Sequence, residues 1–391
     1  MNVRPGLASK RARARRAARK FFAFSLFEGL CPIYPVYMIM FEGRGYDFAA
    51  LALLLSIWSL PVVILELPSG ILADRWSKKG IVAIGMALKS LCFILWAISP
   101  SFWAAALGFI LWGCQGALVS GAHQALLYET LKTENLEAEY EDTIGLSGAV
   151  EMVTISIAMV TGAAIYAMSP TLALGLSALS AAAASVTALT FRERKVERSA
   201  SSRLSSFVAE LKDCVGTKTV LGLLAAACLA GAAYGTVDEF DGLWAVERYS
   251  VPIAWIGVWG ATRVGLQGLG GLIAGRLSRL LGKGRMRGAL AAAGTFFVAS
   301  AFLPGFWGLP LYFSYFFLMA ALSVMFESRL QEAAEDSSRA SLLSLASLLL
   351  TLVAILLAPA LGAAGDAGGL GWILAICGGL TAALGIFRTK R

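Results

Sequence analysis

His123 is the single histidine among 391 residues, and only 15% of the chain is charged. The six cysteines (31, 92, 114, 214, 228 and 377) are scattered, with no spacing that suits a metal or a redox pair. Five of them fall in apolar runs and read as small core residues. No glycine-rich phosphate loop carrying a lysine is present, nor a metal-ligand cluster, nor the constellation of a soluble catalyst. These absences argue against ATP-driven work by this chain alone and against an enzyme. No cofactor is expected. A channel stays open as a class, but nothing suggests a selectivity filter.

What the chain has in excess is apolar sequence. It is 58% hydrophobic with a mean hydropathy of +0.72. The apolar residues form runs at 21–41, 48–72, 81–99, 102–129, 144–168, 171–191, 219–240, 252–275, 287–303, 306–327, 341–362 and 367–387. A helix of about 20 apolar residues crosses a bilayer. Strands of a membrane barrel would instead alternate over about ten residues. In lipid, a helix satisfies its own backbone hydrogen bonds. The expected fold is therefore an all-α membrane protein of twelve transmembrane helices.

The net charge of +8 does not point to nucleic acid, because of where the charge lies. With twelve spans and both termini on one side, Arg44 and Arg248 fall in loops of the opposite side. Lys89 and Arg263 fall inside spans, and the other 29 of 33 basic residues share the side of the termini. Basic loops stay in the cytoplasm, so both termini are expected there, in a cell (inner) membrane. The tail "KRARARRAARK" (10–20) reads as a topology anchor that also touches anionic lipid. It lacks the small-residue cleavage site of a signal peptide.

The longest connection on that side, 192–218, is charged and serine-rich and separates six runs from six. The expected organisation is a basic tail 1–20, a six-helix bundle 21–191, the linker 192–218, a second bundle 219–387 and a tail 388–391. A faint repeat supports two halves. "GILADRWSKKG" at 70–80 aligns with "GRLSRLLGKGR" at 275–285, each at the end of the second run of its half. Paired halves with sites between them are a recurring transporter plan.

The stretch 70–80 resembles the signature loop of major facilitator superfamily transporters, Gly-x-Leu-Ala-Asp-Arg-x-Gly-Arg-Lys, between spans two and three. Gly70, Leu72, Ala73, Asp74 and Arg75 match, Lys78 and Lys79 match as basic residues, and Ser77 replaces a glycine. A second echo, "SGAHQALLYETL" at 120–131, is similar to the end of span four in some bacterial members and carries Glu129. The resemblance implies a conformational latch on the cytoplasmic side. Gly70 would allow close helix approach. Asp74 would face the N-terminus of span eleven near Ser337, Ser338 or Ser341. Arg75, Lys78 and Lys79 would reach acids such as Glu129, with Glu66 in support. The bland alternative is that the basic residues only hold the loop inside.

Ionisable residues inside spans cost about 2.5–3.5 kcal/mol each on insertion scales, so those that persist point to a pathway. Placed at 100° per residue, Ser25, Glu28, Pro32 and Pro35 share an arc of roughly 80° in span one. Ser147, Glu151, Thr154 and Thr161 form a polar stripe in span five. Glu28 is either a protonatable cavity group or a structural hydrogen-bonding residue, and the stripe of Glu151 is either a cavity wall or a tight helix seam with polar glue. Trp259, Arg263 and Gln267 share a face of span eight, and Arg263 needs an anion: Glu28, Glu151, Asp238 or an anionic substrate. Tyr234, Asp238 and Asp241 share a face of span seven, with a solvated outer rim as the bland reading. Trp112, Gln115 and His123 share a face of span four, where His123 is either a titrating group or a packing residue. Lys89, on a helix that the resemblance places at the periphery, is expected to snorkel or pair locally. Tyr312, Tyr315, Met319 and Ser323 could line an amphipathic pocket in span ten.

These features together suggest a secondary transporter, foremost a proton-coupled exporter of a small amphipathic molecule, acting as a monomer with protons and lipid as its other partners. The exporter signatures of the family are incomplete. Trp112 replaces the arginine of an Arg-x-x-Gln-Gly motif, and the glycine–proline pattern of span five is largely missing. An uptake symporter or facilitator for a metabolite is the first alternative, and a non-transporting membrane scaffold the second.

Overall fold

The computed structural model describes residues 19–75, 77–133, 140–191, 218–333 and 339–386, and among them it contains helices and turns but no strand. A first helix, α1, covers 19–29. A 3-10 turn (Tyr34–Val36) leads into α2 (Tyr37–Glu42). There follow α3 (Phe48–Arg75), α4 (Lys78–Ile98), α5 (Phe102–Thr133), α6 (Tyr140–Met168) and α7 (Pro170–Leu189). The second half holds α8 (Lys218–Glu239), a short α9 (Asp241–Tyr249), α10 (Ile256–Phe302), α11 (Leu309–Ala333), α12 (Arg339–Gly368) and α13 (Leu370–Ile386). The helix of α10 is broken at Gly282, where φ is 60°, giving it two arms. Nine helical stretches among the described residues are long and apolar enough to cross a membrane, and α13 is a shorter apolar helix. The two arms of α10 occupy the eighth and ninth apolar runs, so each of the twelve runs is helical.

Local chemistry sets several boundaries. Ser77 caps α4, its hydroxyl accepting from the Gly80 amide at 3.1 Å. Ser169 does the same for α7, with Pro170 at the first helical position. Span one is broken between α1 and α2. Pro32 has no N–H to donate, and the chain leaves the helix at Leu30. The freed groups find partners on α7. Ser180 Oγ donates to the Phe27 carbonyl (2.8 Å), and the Ile33 amide donates to Ser177 Oγ (3.1 Å). The break therefore leaves neither group unpaired in lipid.

The chain divides into two compact units. The first comprises the described parts of Met1–Tyr37, Leu60–Ala200 and Ile253–Gly257, the second those of Met38–Ser59, Ser201–Pro252 and Val258–Arg391. In the first, Phe21, Phe24, Met86, Val119, Leu126, Leu127 and Phe191 form a buried core among α1, α4, α5 and the end of α7. Small residues bring α4 and α7 together, and serines bridge them. Ser90 Oγ donates to the Ala178 carbonyl (2.8 Å) and Ser185 Oγ to that of Ala83 (2.6 Å). In the second, Val220, Leu224, Leu330 and Leu342 form a core where α8, α11 and α12 meet. Many large apolar residues point outward, among them Leu60, Ile64, Val186 and Leu356. Such a surface suits lipid tails and would be a liability in water.

Candidate functional site

In the second unit the buried charges form one connected network. Asp238 lies in the last turn of α8, and α9 begins at Asp241 after a break at Phe240. Arg263, in the first arm of α10, spans both acids. Its Nε donates to Asp241 Oδ2 at 2.7 Å, and its Nη1 donates to Asp238 Oδ1. Arg263 is 5% exposed and Asp241 4%. One helical turn to either side of Arg263, the same face supplies two more donors. Trp259 Nε1 donates to Asp241 Oδ1 (2.6 Å), and Gln267 Nε2 donates to Asp238 Oδ1 (2.9 Å) and to the Tyr234 hydroxyl (2.6 Å). Tyr312, from α11, donates its hydroxyl to Asp241 Oδ1 at 2.6 Å. The guanidinium carbon stands 5.3 Å from the Phe316 ring centroid. A guanidinium shared by two carboxylates in an aromatic shell is expensive to desolvate and tolerable only when its bonds are filled, as they are here.

This placement corrects two sequence expectations. Asp241 is not a solvated rim residue. The helix breaks at Phe240, so the position computed by continuing α8 does not apply, and the side chain turns inward to accept three hydrogen bonds. The anions held by Arg263 are Asp238 and Asp241, rather than Glu28 or Glu151. A helical wheel shows which residues share a face but not which helix that face meets.

In the first unit, Glu28 of α1, Glu151 of α6 and Lys89 of α4 lie within electrostatic reach of one another. A Cβ on Gly29 would stand 3.0 Å from the Glu151 carbonyl, so glycine lets α1 and α6 approach closely enough to bring the two glutamates together. Lys89 is 9% exposed, and its ammonium stands 5.8 Å from the Trp112 ring centroid. Of the two expectations for Lys89, snorkelling at the periphery is corrected, and a local electrostatic setting beside Glu28 and Glu151 is what the structure gives it. Trp112 belongs to an aromatic group with Tyr34, Tyr37, Phe93, Trp96 and Phe109. Among the described residues no ion pair joins Lys89 to either glutamate. Pro32, at the break, is buried against Gly162 of α6. Gln115 is buried, its amide 3.8 Å from Met86 Sδ. His123 packs at 4.7 Å from Phe24 and 5.8 Å from Phe21, ring centroid to centroid. Its Nε2 is buried without a hydrogen-bond partner.

The remaining candidates fall in three places. Tyr315 is fully buried and stacks on Phe297 at 3.9 Å. Met319 and Ser323 line a cavity of about 310 Å³ among α8, α11 and α12, together with Cys228, Gly231, Phe326 and Glu327. Glu327 was missed in the sequence, although it continues the face of Met319 and Ser323 by one turn. At the signature loop, Lys78 Nζ stands 3.0 Å from Glu129 Oε1, and Lys79 is partly exposed. The side chains of Glu66, Gly70, Asp74, Arg75 and Ser341, and residues Ser337 and Ser338 altogether, lie outside the described residues.

A helical membrane protein with a buried ion network in one unit and a group of ionisable residues inside the spans of the other has the build of a transporter. The sequence profile of the Major Facilitator Superfamily matches residues 20–350, and the chain belongs to that family. An uncharacterised MFS-type transporter of Bacillus subtilis, YxaM, is 31% identical over 112 residues, 27% of each chain. The inner membrane transport protein YajR of Escherichia coli is 30% identical over 131 residues, 34% of this chain and 27% of its own. The matched stretches thus span about a quarter of these relatives. The crystal structure of the nucleoside transporter NupG superposes with a TM-score of 0.75 at 15% identity, covering 95% of this chain and 97% of that one. A bacterial homologue of the lysosomal transporter Spinster, in an inward-facing, occupied conformation, gives 0.73 at 13% identity, with 97% of each chain covered. At such identities the likeness is one of fold.

Proposed function

We propose that this protein is a secondary transporter that exports a small amphipathic molecule across the cell (inner) membrane by alternating access, coupled to protons, with both termini in the cytoplasm. The observation that carries the proton coupling is the set Glu28, Lys89 and Glu151. Two carboxylates and one ammonium sum to −1 when all are ionised, so a single proton makes the set neutral. No ion pair among the described residues closes it, so either glutamate is free to take up that proton. The Arg263 network has the same sum, but its charges are already tied by short bonds. That favours a structural role for Arg263 and a switching role for the glutamates. The orientation is supported by the basic loops and by exposed aromatic residues. Trp103, Trp255, Trp307 and Trp372 each stand beside a loop of the set read as external, as anchors at a membrane interface do.

The test is uphill dye transport. Everted membrane vesicles containing the protein, energised to an acidic lumen, should accumulate ethidium, and collapsing the pH gradient should release it. Glu28→Gln together with Glu151→Gln should abolish the response to the gradient. Accumulation no faster than in vesicles lacking the protein would remove the export reading. A full pH response in the double variant would place the proton elsewhere.

A further inference from the structure

Two carboxylates meet the N-terminus of α3. Asp47 is the local cap, its Oδ1 accepting from the Ala50 amide at 2.8 Å. The second comes from 318 residues away in sequence: Asp366, in the last turn of α12, accepts from the Phe48 amide through Oδ1 (2.8 Å) and from the Ala49 amide through Oδ2 (3.2 Å). Between them the two acids satisfy the first three N–H groups of α3, which have no partners within the helix. The contact is tightly built. A Cβ on Gly362 would lie 2.6 Å from the Phe48 carbonyl oxygen and 2.7 Å from the Ala52 Cβ. One on Gly365 would lie 3.0 Å from the Phe48 Cβ. Further along the same seam, Ser56 Oγ donates to the Ile355 carbonyl at 3.1 Å. All of these residues belong to the second unit.

We infer that Asp366 is a positioning residue for transport, the clasp of an external gate formed by the first turns of α3 and the last turns of α12. This rests on the alternating-access reading above, in which this end of both helices faces outward. The sequence expectation for the opposite end of the two helices would make this arrangement reciprocal. Asp74, next to the last residue of α3, is expected from the sequence to face the start of α12 at the cytoplasmic end. Asp366, in the last turn of α12, holds the start of α3 at the other end. A clasp of this kind suits a gate because it is reversible. When the seam parts, water replaces the carboxylate at the Phe48 and Ala49 amides, so neither backbone group is stranded. Asp47 moves with its own helix and caps α3 whether the seam is open or shut. Asp366 can act only while it is shut.

The test needs neither substrate nor proton gradient, so its failure is distinguishable from failure of the export assay. Ser56→Cys places a near-isosteric thiol inside the seam, where Ser56 is 8% exposed. Right-side-out vesicles are treated with a membrane-impermeant maleimide, and the parent without this cysteine gives the background. Asp366→Asn keeps the shape and removes the charge, and it should raise the labelling rate about two- to five-fold, the range for one charge at a helix end. Asp366→Ala removes both bonds and should raise it on the order of tenfold or more. Asp47→Asn retains a good cap and should leave the rate unchanged. A wedge, Gly362→Leu, serves as the positive control for an opened seam. If the wedge labels quickly while both Asp366 variants label at the parental rate, Asp366 is no clasp. An increase with Asp47→Asn equal to that of Asp366→Asn would also overturn the proposal, because the effect would then belong to the helix end and not to the seam. Should the alanine variant fail to reach the membrane, the two asparagine variants decide.

Discussion

Arg263 and Asp241 form a buried ion pair, Nε to Oδ2 at 2.7 Å, and neither side chain is more than 6% exposed. The acid also accepts from Trp259 and Tyr312, so three donors from two helices converge on one carboxylate. Pairs of this kind are weak evidence for stability as such. Replacing both partners by matched apolar groups is often neutral, whereas removing one leaves a bare buried charge.

The first prediction follows from that asymmetry. Arg263→Met should destabilise the second unit by about 3–5 kcal/mol, because two carboxylates lose their only guanidinium. Arg263→Lys should recover part of the loss, since a point charge cannot serve two acids as a planar fork does. Arg263→Met combined with Asp241→Asn should be milder than Arg263→Met alone. Thermal unfolding of the purified protein in detergent measures all three. A double variant as unstable as the sum of its parts would show that the charges act independently.

The second prediction concerns Lys89. Lys89→Met leaves Glu28 and Glu151 as two negative charges without their cation, at about 2.5–3.5 kcal/mol for each uncompensated charge in the membrane. The folded yield should fall sharply. Adding Glu151→Gln restores a sum of −1 and should restore much of the yield, although transport coupled to protons should remain impaired. Size-exclusion profiles of the single and double variants decide this. A Lys89→Met protein that accumulates like the wild type would return Lys89 to a peripheral role.

The limits of sequence reading are visible at these same residues. Trp259, Arg263 and Gln267 recur every four residues, so their common face could be read directly, and so could Tyr234 with Asp238. What lies opposite a face is set by the packing of other helices, and periodicity carries no record of it. Lys89 and Glu28 therefore could not be connected, and of the acids that could face Arg263 the sequence names Asp238, which the structure pairs with it, but not Asp241. Asp241 was misplaced for a different reason. A helix break one residue upstream cancels the wheel, and Phe240 carries no proline or glycine signal. Asp366 lay in an ordinary loop-proximal position, and its significance depends entirely on a helix start that is remote in sequence.

The last prediction tests the seat of the span-one break. A Cβ on Gly162 of α6 would lie 2.7 Å from the Pro32 Cα and 2.8 Å from its carbonyl carbon, closer than van der Waals contact permits. These are backbone atoms, so no side-chain rotation can relieve the overlap. Gly148 lies on the same helix, and a Cβ there would meet nothing within 4 Å. The two glycines thus separate helix propensity from packing. Gly148→Ala removes a flexible residue from a helix at no steric cost and should stabilise by up to about 1 kcal/mol. Gly162→Ala gains the same propensity but forces α6 away from the turn at Pro32. That displacement also pulls at the Ile33–Ser177 and Ser180–Phe27 hydrogen bonds, which hold the break against α7. A net loss of about 1–3 kcal/mol is expected, the usual penalty of overpacking. Thermal midpoints of the two alanine variants, measured side by side, should move in opposite directions. A Gly162→Ala protein at least as stable as the wild type would mean that α6 does not need this close approach, and the broken form of span one would have to be held by α7 alone.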